Sequence, residues 1–314
     1  IRAKIADLED LLANDPRILE VVLDEIHEVR EKFGDERRTE ISGPVVGISN
    51  EDLIVEEDMV VTLSHRGYIK RNPITQYRAQ RRGGKGVKGM EAREEDFVRH
   101  LYVASTHAYL LFFTNRGRVH WLKVHELPQL GRAARGKALV NVLQLADGET
   151  VQTMLPVRSF DGVEADSVLF CTRRGVVKKT ALSAFANPRR GGIIAIGLAD
   201  DDELISVGRT GGQNEVIIAT RKGKSIRFPE KQCRSMGRDT MGVKGIKLAE
   251  GDVVVGVDIV GEAGAMLTVT ENGFGKRTDV SQYRVQNRGG KGLIDIKTSP
   301  RNGPVVAQKL VDEE

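Results

Sequence analysis

Thr62-Leu63-Ser64-His65-Arg66-Gly67-Tyr68 is the first of five segments that share one pattern. In each segment an apolar run ends at a serine or threonine, and a glycine follows three residues later. The five glycines are Gly67, Gly117, Gly175, Gly223 and Gly273. A short second strand follows each glycine and ends in basic residues in most copies, so each segment predicts a β-hairpin. The spacings of 50, 58, 48 and 50 residues predict an all-β, propeller-like array of blades.

A second glycine keeps register with the first, 19 residues later in four repeats and 17 residues later in the third. A basic loop surrounds this glycine in every repeat, and we expect a short apolar strand after it, as in residues 139–143 and 193–196. Because each loop occupies the same place in its blade, we expect all five loops on one rim, where they would form a continuous basic belt. The candidate contact residues of the last four loops are Arg132, Arg135, Lys137, Arg189, Arg190, Arg238, Lys244, Arg288 and Lys291.

The loop of the first repeat, Gln80-Arg81-Arg82-Gly83-Gly84-Lys85-Gly86, has a near copy in the fifth, Gln286-Asn287-Arg288-Gly289-Gly290-Lys291-Gly292. We call these two segments the first and second box. Glycines allow backbone N–H groups to approach an anion, because no Cβ is in the way. The interleaved cations add positive charge, so both boxes, together with Lys88, predict phosphate binding. Two copies in one chain favour a long polyanion over one small ligand.

Charge is divided unevenly along the chain. Residues 1–58 contain 7 Lys and Arg against 17 Asp and Glu, whereas the remaining residues contain 41 against 27. This asymmetry predicts two parts with different partners, the larger one facing something acidic. No apolar run reaches the length of about 18 residues that a membrane span needs. Two cysteines without a CxxC spacing argue against a disulfide framework or a zinc site and favour a reducing cytoplasm.

The N-terminal stretch predicts two helices, over residues 4–13 and 16–33, with apolar residues at helical spacing. Asp15 and Pro16 fit an N-cap and a first-turn proline, and Gly34 fits a C-terminal cap. We therefore predict a helical segment and linker over residues 1–42 and a bladed domain over residues 43–314. Residues 304–310 have the character of an opening strand, which predicts five complete repeats and a started sixth.

The sequence contains patterns that are typical of enzymes, but their surroundings argue against an enzymatic site. Residues 84–89 satisfy GxGxxG, but this pattern indicates a dinucleotide site only between a strand and a helix. No GxxxxGK[ST] phosphate loop occurs, and the six histidines form no metal-ligand pattern. Trp121 and the Phe112-Phe113 pair are predicted to be blade core rather than base-stacking platforms. We therefore predict no catalytic residue, no bound cofactor and no metal in this chain.

The first box resembles the signature box of a known family, the C-terminal domain of the DNA gyrase A subunit, and the resemblance extends over nearly the whole chain. Residues 34–41 resemble the point where the coiled-coil arm of that family ends, and residues 62–68 and 273–278 resemble its hairpins. The resemblance implies a β-pinwheel, usually six-bladed, in which blades exchange strands and a basic rim wraps duplex DNA. It also implies that the catalytic domain lies upstream, so no tyrosine here inherits the role of nucleophile.

The same resemblance implies the wider setting. The partners would be double-stranded DNA, the remainder of a homodimeric gyrase A subunit, and the gyrase B subunit, with no membrane. ATP and Mg²⁺ would act elsewhere in the holoenzyme, in the cytoplasm of a bacterium and close to its nucleoid. Sequence-tolerant wrapping would then enable negative supercoiling. Two alternatives stay open from the sequence: the related topoisomerase IV domain, which lacks an intact box, and a bladed module that binds an acidic protein.

Overall fold

The computed structural model describes residues 1–35, 39, 50–77, 89–90, 96–160, 166–189, 191–261 and 263–311. The chain divides into two compact units, Ile1–Asn50 and Glu51–Glu314. The domain boundary that the sequence predicts, between residues 42 and 43, lies outside the described residues.

The first unit contains two α-helices, α1 (Arg2–Ala13) and α2 (Asp15–Phe33). The N-cap of α2 is Asn14, with an extended backbone, and not Asp15, which is already helical. Pro16 fits the first turn because its missing N–H would have no partner there in any case. The apolar stripe is exposed within this unit, with Leu12 and Phe33 each 77% accessible. No helix in the described ranges is long and apolar enough to cross a bilayer.

The second unit is built from short strands and 3-10 turns. Its strands are β1 (Asp58–Ser64), β2 (Tyr68–Pro73), β3 (Val98–Ser105), β4 (Tyr109–Thr114), β5 (Arg118–Lys123), β6 (Lys137–Ala138), β7 (Val151–Val157), β8 (Ser167–Thr172), β9 (Val176–Ala181), β10 (Ile193–Ile194), β11 (Leu204–Thr210), β12 (Glu215–Thr220), β13 (Lys224–Pro229), β14 (Val243–Lys244), β15 (Val254–Val260), β16 (Ala265–Thr270), β17 (Gly275–Asp279), β18 (Leu293–Ile294) and β19 (Val305–Val311). The 3-10 helices are Asn50–Leu53, Ile74–Gln76, Val124–Glu126, Leu139–Asn141, Leu182–Phe185, Glu230–Gln232 and Val280–Gln282.

These strands form five antiparallel sheets with one repeated order. Sheet 1 is β3-β1-β2-β6, sheet 2 is β7-β4-β5-β10, sheet 3 is β11-β8-β9-β14, sheet 4 is β15-β12-β13-β18 and sheet 5 is β19-β16-β17. In each of the first four sheets the last strand is only two residues long and comes from the following repeat. The fold is therefore a five-bladed, propeller-like β-pinwheel with exchanged strands. The sequence predicted the bladed array, and the family resemblance implied the strand exchange.

Each predicted hairpin is present, and its turn glycine adopts a left-handed conformation with φ between 71° and 80°. The Ser or Thr that precedes the glycine has a second function. Its hydroxyl accepts a hydrogen bond from the N–H just after the glycine in the first four sheets, for example Val176 N to Thr172 Oγ1 at 3.2 Å. The serine or threonine followed three residues later by glycine therefore encodes the turn itself, because the glycine is left-handed and the hydroxyl holds the returning strand.

The second glycine of each repeat packs against the preceding sheet. In each sheet we call the strand after the turn glycine the second strand; in sheets 1 to 4 it is β2, β5, β9 and β13. A Cβ on Gly136, Gly192, Gly242 or Gly292 would lie 2.5–2.9 Å from a backbone carbonyl oxygen of the second strand of the preceding sheet. All four also have positive φ. In the described repeats the glycine register is thus explained by close approach of two protein backbones, and this approach is what allows the strand exchange.

Hydrophobic clusters fill the four interfaces between successive sheets. Phe112 and Phe113 are fully buried, and the Trp121 Nε1 donates to the Phe185 carbonyl at 2.9 Å, so these aromatics belong to the blades as predicted. The fourth interface also contains buried polar contacts. There the Asp295 carboxylate accepts hydrogen bonds from Thr268 and Tyr283, at 2.7 and 2.8 Å.

Two expectations about the strands were wrong. Residues 305–311 do not open a sixth blade, because β19 pairs with β16 as the inner strand of sheet 5. In the second to fifth repeats the strand at the end of the loop is only two residues long, and residues 139–141 turn into a 3-10 helix. Both errors come from assigning each apolar run to its own repeat. In an exchanged topology the run after the loop is shared with the preceding sheet, and the full-length strand comes later.

Candidate nucleic-acid interface

The basic loops of the second to fifth repeats lie at the outer edges of the sheets. The first strand in each sheet order contacts its counterpart in the next sheet, from β3 to β7, β11, β15 and β19 in turn. These strands therefore converge on the inside of the array. The two-residue strands occupy the opposite edge of each sheet, so the loops that lead into them are carried to the periphery.

Three of these loops, residues 129–137, 235–243 and 285–293, share one mode of attachment. The first residue of each forms a parallel bridge with the second strand of the preceding sheet, at Arg71, Lys179 and Arg227. The last residue forms an antiparallel pair two positions earlier on the same strand, at Ile69, Val177 and Ser225. Each loop is thus an arch with both ends fixed to one strand, and its fourth residue is an arginine in all three arches: Arg132, Arg238 and Arg288.

Successive loops are also bonded to one another. Gly197, after the third loop, donates its N–H to the Thr240 carbonyl of the fourth loop at 3.0 Å. Gly289 in the fifth loop donates to the Gly245 carbonyl at 2.7 Å, and Lys247 donates to the Gly290 carbonyl at 2.8 Å. The outer edge from the third to the fifth loop is therefore one connected strip of backbone.

Four of the predicted contact residues are exposed and form no ion pair within the described residues: Lys137, Arg189, Lys244 and Lys291. They come from four different repeats. Exposed cations that form no ion pair are available to an external anion.

The four predicted arginines of the loop arches are half-buried, and they divide into two pairs. The Arg135 guanidinium stacks on the Tyr68 ring, with its Cζ 3.6 Å from the ring centroid. The Arg288 guanidinium donates to two backbone carbonyls, those of Gln232 at 3.2 Å and Lys244 at 2.5 Å. Both side chains are therefore engaged with protein. By contrast, no side-chain hydrogen bond or ion pair is observed for Arg132 or Arg238 within the described residues, although both side chains are partly covered.

The remaining predicted contact residues lie outside the described part of the chain. These are the whole first box, Gln80, Arg81, Arg82, Gly83, Gly84, Lys85 and Gly86, together with Lys88 and Arg190.

The second box can be followed residue by residue. Gln286 and Gly289 donate their N–H groups to the carbonyls of Arg227 and Gly245, so neither N–H is available to a phosphate. The box lines an open groove of about 500 Å³ to which Arg284, Gln286 and Asn287 contribute. Arg284 was not among the sequence predictions, because it precedes the box, yet it is exposed at this groove.

Two further cations were missed because the sequence places them in strands. Lys70 and Lys178 each lie three residues after a turn glycine, and both are fully buried. The Lys178 ammonium donates to the carbonyls of Ala195, Arg238 and Thr240. Burial lowers the pKa of Lys178 to about 8 and also lowers that of Lys70. Their equal distance from the turn glycine was the signal in the sequence.

A buried His–Glu pair replaces this arrangement in sheet 2. His120 is three residues after Gly117, and its Nε2 lies 3.8 Å from a Glu149 carboxylate oxygen. Burial lowers the pKa of His120, although the Glu149 carboxylate opposes that shift. Among the described residues no group of three His, Cys, Asp or Glu side chains is arranged to hold a metal ion.

Comparison with known families fits this architecture. A family model described as the DNA gyrase C-terminal domain, beta-propeller, matches five segments, residues 58–105, 108–158, 166–210, 214–261 and 265–307. Each matched segment covers a hairpin and the inner strand of one sheet, from the first sheet to the fifth. The chain belongs to the DNA gyrase C-terminal domain family.

Individual relatives agree with this assignment. The chain is 49% identical over 313 residues to the DNA gyrase A subunit of Staphylococcus aureus (strain COL), covering 99% of this chain and 35% of that protein. It therefore spans about a third of the length of this relative. Among solved structures, the C-terminal domain of DNA topoisomerase IV aligns with a TM-score of 0.71 at 26% identity, over 83% of this chain and 79% of that one. The DNA gyrase A C-terminal domain aligns with a TM-score of 0.65 at 28% identity, over 82% and 84%.

Proposed function

We propose that the pinwheel binds duplex DNA along its outer edge and wraps it. The observation that carries this proposal is the placement of Lys137, Arg189, Lys244 and Lys291, which are exposed cations of four different repeats on loops at the outer edge. A curved strip of cations can follow a bent double helix, whereas a single loop offers only one contact.

The contacts would be to phosphates and would not depend on base sequence. Lysine and arginine side chains position DNA through its backbone without reading base edges. Neutralising 8–10 phosphates would give a slope of log affinity against log salt of about −7 to −9. Bending 20–30 base pairs by 40–90° costs on the order of 1–6 kcal/mol, so several loops must act together to offset that cost.

In the complete protein this wrap would serve negative supercoiling by a bacterial DNA gyrase. The partners would be the remainder of the gyrase A subunit, which would form a homodimer, and the gyrase B subunit, in the cytoplasm. ATP and Mg²⁺ would be used by other parts of that holoenzyme, and this chain would supply no catalytic residue. The first box would hold the DNA as it rounds the edge and so present a neighbouring segment to the strand-passage gate.

A salt titration of binding to random-sequence duplex tests the proposal. In a variant with Lys137, Lys244 and Lys291 changed to alanine, we expect the slope to become shallower by about 3, at roughly 0.9 per lost phosphate contact. A control variant with Arg2, Lys4 and Lys32 changed to alanine removes the same charge from the helical unit and should keep the wild-type slope. Equal slopes in all three proteins, or no binding of random duplex by the wild type, would reject the outer edge as a DNA track.

The first box has a separate test. Changing Arg81, Arg82 and Lys85 to alanine should abolish wrapping and leave the fold intact, measured by the curvature of bound DNA and by thermal unfolding. Unchanged curvature would reject the role of the box.

A second candidate is the corresponding role in topoisomerase IV, which the higher TM-score with that enzyme's domain favours. Reconstitution distinguishes the two. The complete protein, paired with its own ATPase subunit, should introduce negative supercoils into relaxed DNA if it acts as a gyrase. Relaxation and decatenation without supercoiling would favour the alternative.

A further inference from the structure

We infer that Lys70 and Lys178 are positioning residues that fix the arched loops of the second and fourth repeats from beneath. In its consequence for DNA this inference rests on the proposed function, but its structural part does not. Neither lysine is accessible to an external anion, so their role differs from that of the exposed loop cations.

The place of the two lysines in the fold carries the inference. Each arch begins and ends on the second strand of the preceding sheet, two residues apart along that strand. The residue between the two anchor points is Lys70 under the arch of residues 129–137 and Lys178 under that of residues 235–243. The side chain at this position therefore lies between the feet of the arch.

The contacts are specific to the loop backbone. The Lys70 Nζ donates to the carbonyls of Gly131 and Arg132 within the second repeat's arch and to that of Gly89 at 2.9 Å. The Lys178 Nζ donates to the carbonyls of Arg238 and Thr240 within the fourth repeat's arch and to that of Ala195 at 2.9 Å. The same pattern, two acceptors in the arch and one outside it, thus occurs in two sheets that are not neighbours.

Energetics separates positioning from simple stabilisation. Burying an ammonium costs free energy, and among the described residues no carboxylate lies within ion-pair distance of either Nζ to offset it. An apolar side chain at this place is compatible with the fold, since Ile226 occupies it in sheet 4 and is also fully buried. The ammonium is therefore not required to fill the space. What it adds is three donors that select one loop conformation.

That conformation determines where the loop cations lie. Arg132 and Arg238 are the residues whose own carbonyls the two ammonium groups bind, so each lysine fixes the Cα from which a loop arginine projects. Lys137 and Lys244 follow at the end of each arch and the start of the strand after it. Loss of the ammonium would let the arch move and would spread the cations over a larger volume.

The experiment is hydrogen–deuterium exchange with mass spectrometry on Lys178→Met, combined with thermal unfolding and the DNA salt titration. Met keeps the length of the side chain and removes the donors. We expect amides of residues 237–240 to exchange about tenfold faster, as the loss of a charge-assisted hydrogen bond allows. The melting temperature should stay the same or rise, and residues 285–293 should exchange as in the wild type. The control is Ile226→Met, which places the same side chain under the fifth arch and should leave both arches unchanged.

The DNA readout keeps this inference distinct from the proposed function. Lys178→Met should weaken binding several-fold without changing the salt slope, because the lysine makes no phosphate contact, whereas Lys244→Ala should reduce the slope by about 0.9. If the arch exchanged faster but DNA binding were unchanged, the positioning role of the lysine would stand and the proposed DNA track would be contradicted. Unchanged exchange at residues 237–240 in a folded Lys178→Met protein would overturn the inference.

Two further variants cover a folding failure of Lys178→Met. Lys178→Gln keeps amide donors, and its exchange should lie between that of wild type and Lys178→Met. Lys70→Met tests the second arch independently, and we expect faster exchange at residues 131–134 and unchanged exchange in the fourth arch. Wild-type exchange in both Lys178→Gln and Lys70→Met would also overturn the inference.

Discussion

The arches of the fourth and fifth repeats have equal length and equal attachment, yet they are held in different ways. Beneath residues 235–243 lies the buried Lys178, whose donors bind the arch from below. Beneath residues 285–293 lies Ile226, which has no donors, and the arch's own Arg288 instead binds the carbonyls of Gln232 and Lys244, which flank the preceding arch. Arg238, at the equivalent position of the fourth arch, forms no such bond among the described residues.

Residues at equivalent positions of two repeats therefore have different contacts and different roles. In each of these two arches a charged group binds backbone carbonyls. Where the strand below supplies that group, the loop arginine remains available to a ligand. Where it does not, the arginine takes over, so the second box keeps its sequence pattern but commits its arginine to the protein.

The largest predicted effect on stability comes from substituting the glycines that pack both arches against the preceding sheet. Gly242→Ala should destabilise the second unit by about 2–4 kcal/mol, because φ is 105° there and a Cβ would lie 2.5 Å from the Val177 carbonyl oxygen. At roughly 2–4 °C per kcal/mol, thermal unfolding would show the change clearly. Gly237→Ala in the same arch is the control, since its nearest neighbour would be a side-chain oxygen at 3.4 Å. An equal loss in both variants would contradict the packing explanation.

The paired arginines should separate stability from binding. Arg288→Ala leaves two carbonyls without their charged donor and should cost about 1.5–3 kcal/mol of unfolding free energy. Arg238→Ala should change stability by no more than about 0.5 kcal/mol, as is usual for a side chain without specific partners, and should make the salt slope of DNA binding shallower by about 0.9. Calorimetry and salt titration of both proteins check this, and a reversed order of stabilities would remove the distinction between the arches.

A smaller effect should appear with pH, since of these two arches only the fourth lies over a titratable group. The folded-state pKa of Lys178 is about 8, below its ordinary value of 10.5, so folding disfavours the charged form. The unfolded chain therefore binds more protons between these values, and this group's destabilisation, complete below pH 8, is relieved as pH rises. Nearby Asp239 opposes the shift, and Arg238 adds to it.

We therefore expect wild type to gain about 1 kcal/mol of stability relative to Lys178→Met between pH 7 and pH 9. Using the difference between the two proteins cancels the contributions of the titratable groups that both proteins share. A constant difference over that interval would show that the lysine does not titrate there.

The smallest effects concern single exposed lysines. Lys137→Ala and Lys244→Ala should each weaken binding to all duplex sequences alike and reduce the salt slope by about 0.9. Salt titration measures the slope, and competition between random and defined duplexes measures the dependence on sequence. A loss confined to particular sequences would contradict contact through phosphates.

The sequence predicted the repeat well, because the turn chemistry is local. A left-handed glycine and a hydroxyl three residues before it are enough to define each hairpin, and all five were found. What lies between hairpins was harder to predict. Val305–Val311 resembles an opening strand because opening and inner strands have the same alternation, and only pairing across the sheet distinguishes them.

The placement of the described loops at one edge was predicted from the sequence, but the contacts of their side chains were not. Placing loops at one edge required only the register of the repeat. Assigning Arg135 and Arg288 to protein contacts, or Lys178 to the space beneath an arch, required knowing what lies within a few ångströms of each side chain. Spacing along the chain does not contain that information when neighbouring repeats exchange strands.

The most direct test of the central claim is the end-to-end distance of a duplex bound to the second unit, measured by fluorescence energy transfer between labels at its ends. A duplex shorter than the DNA persistence length of about 150 base pairs is nearly straight when free. We predict that the wild-type protein brings its ends closer together, and that the variant with Lys137, Lys244 and Lys291 changed to alanine leaves the ends at the free distance while remaining folded. A duplex that stays straight on the wild-type protein, or bends equally on the variant, would contradict wrapping around the outer edge.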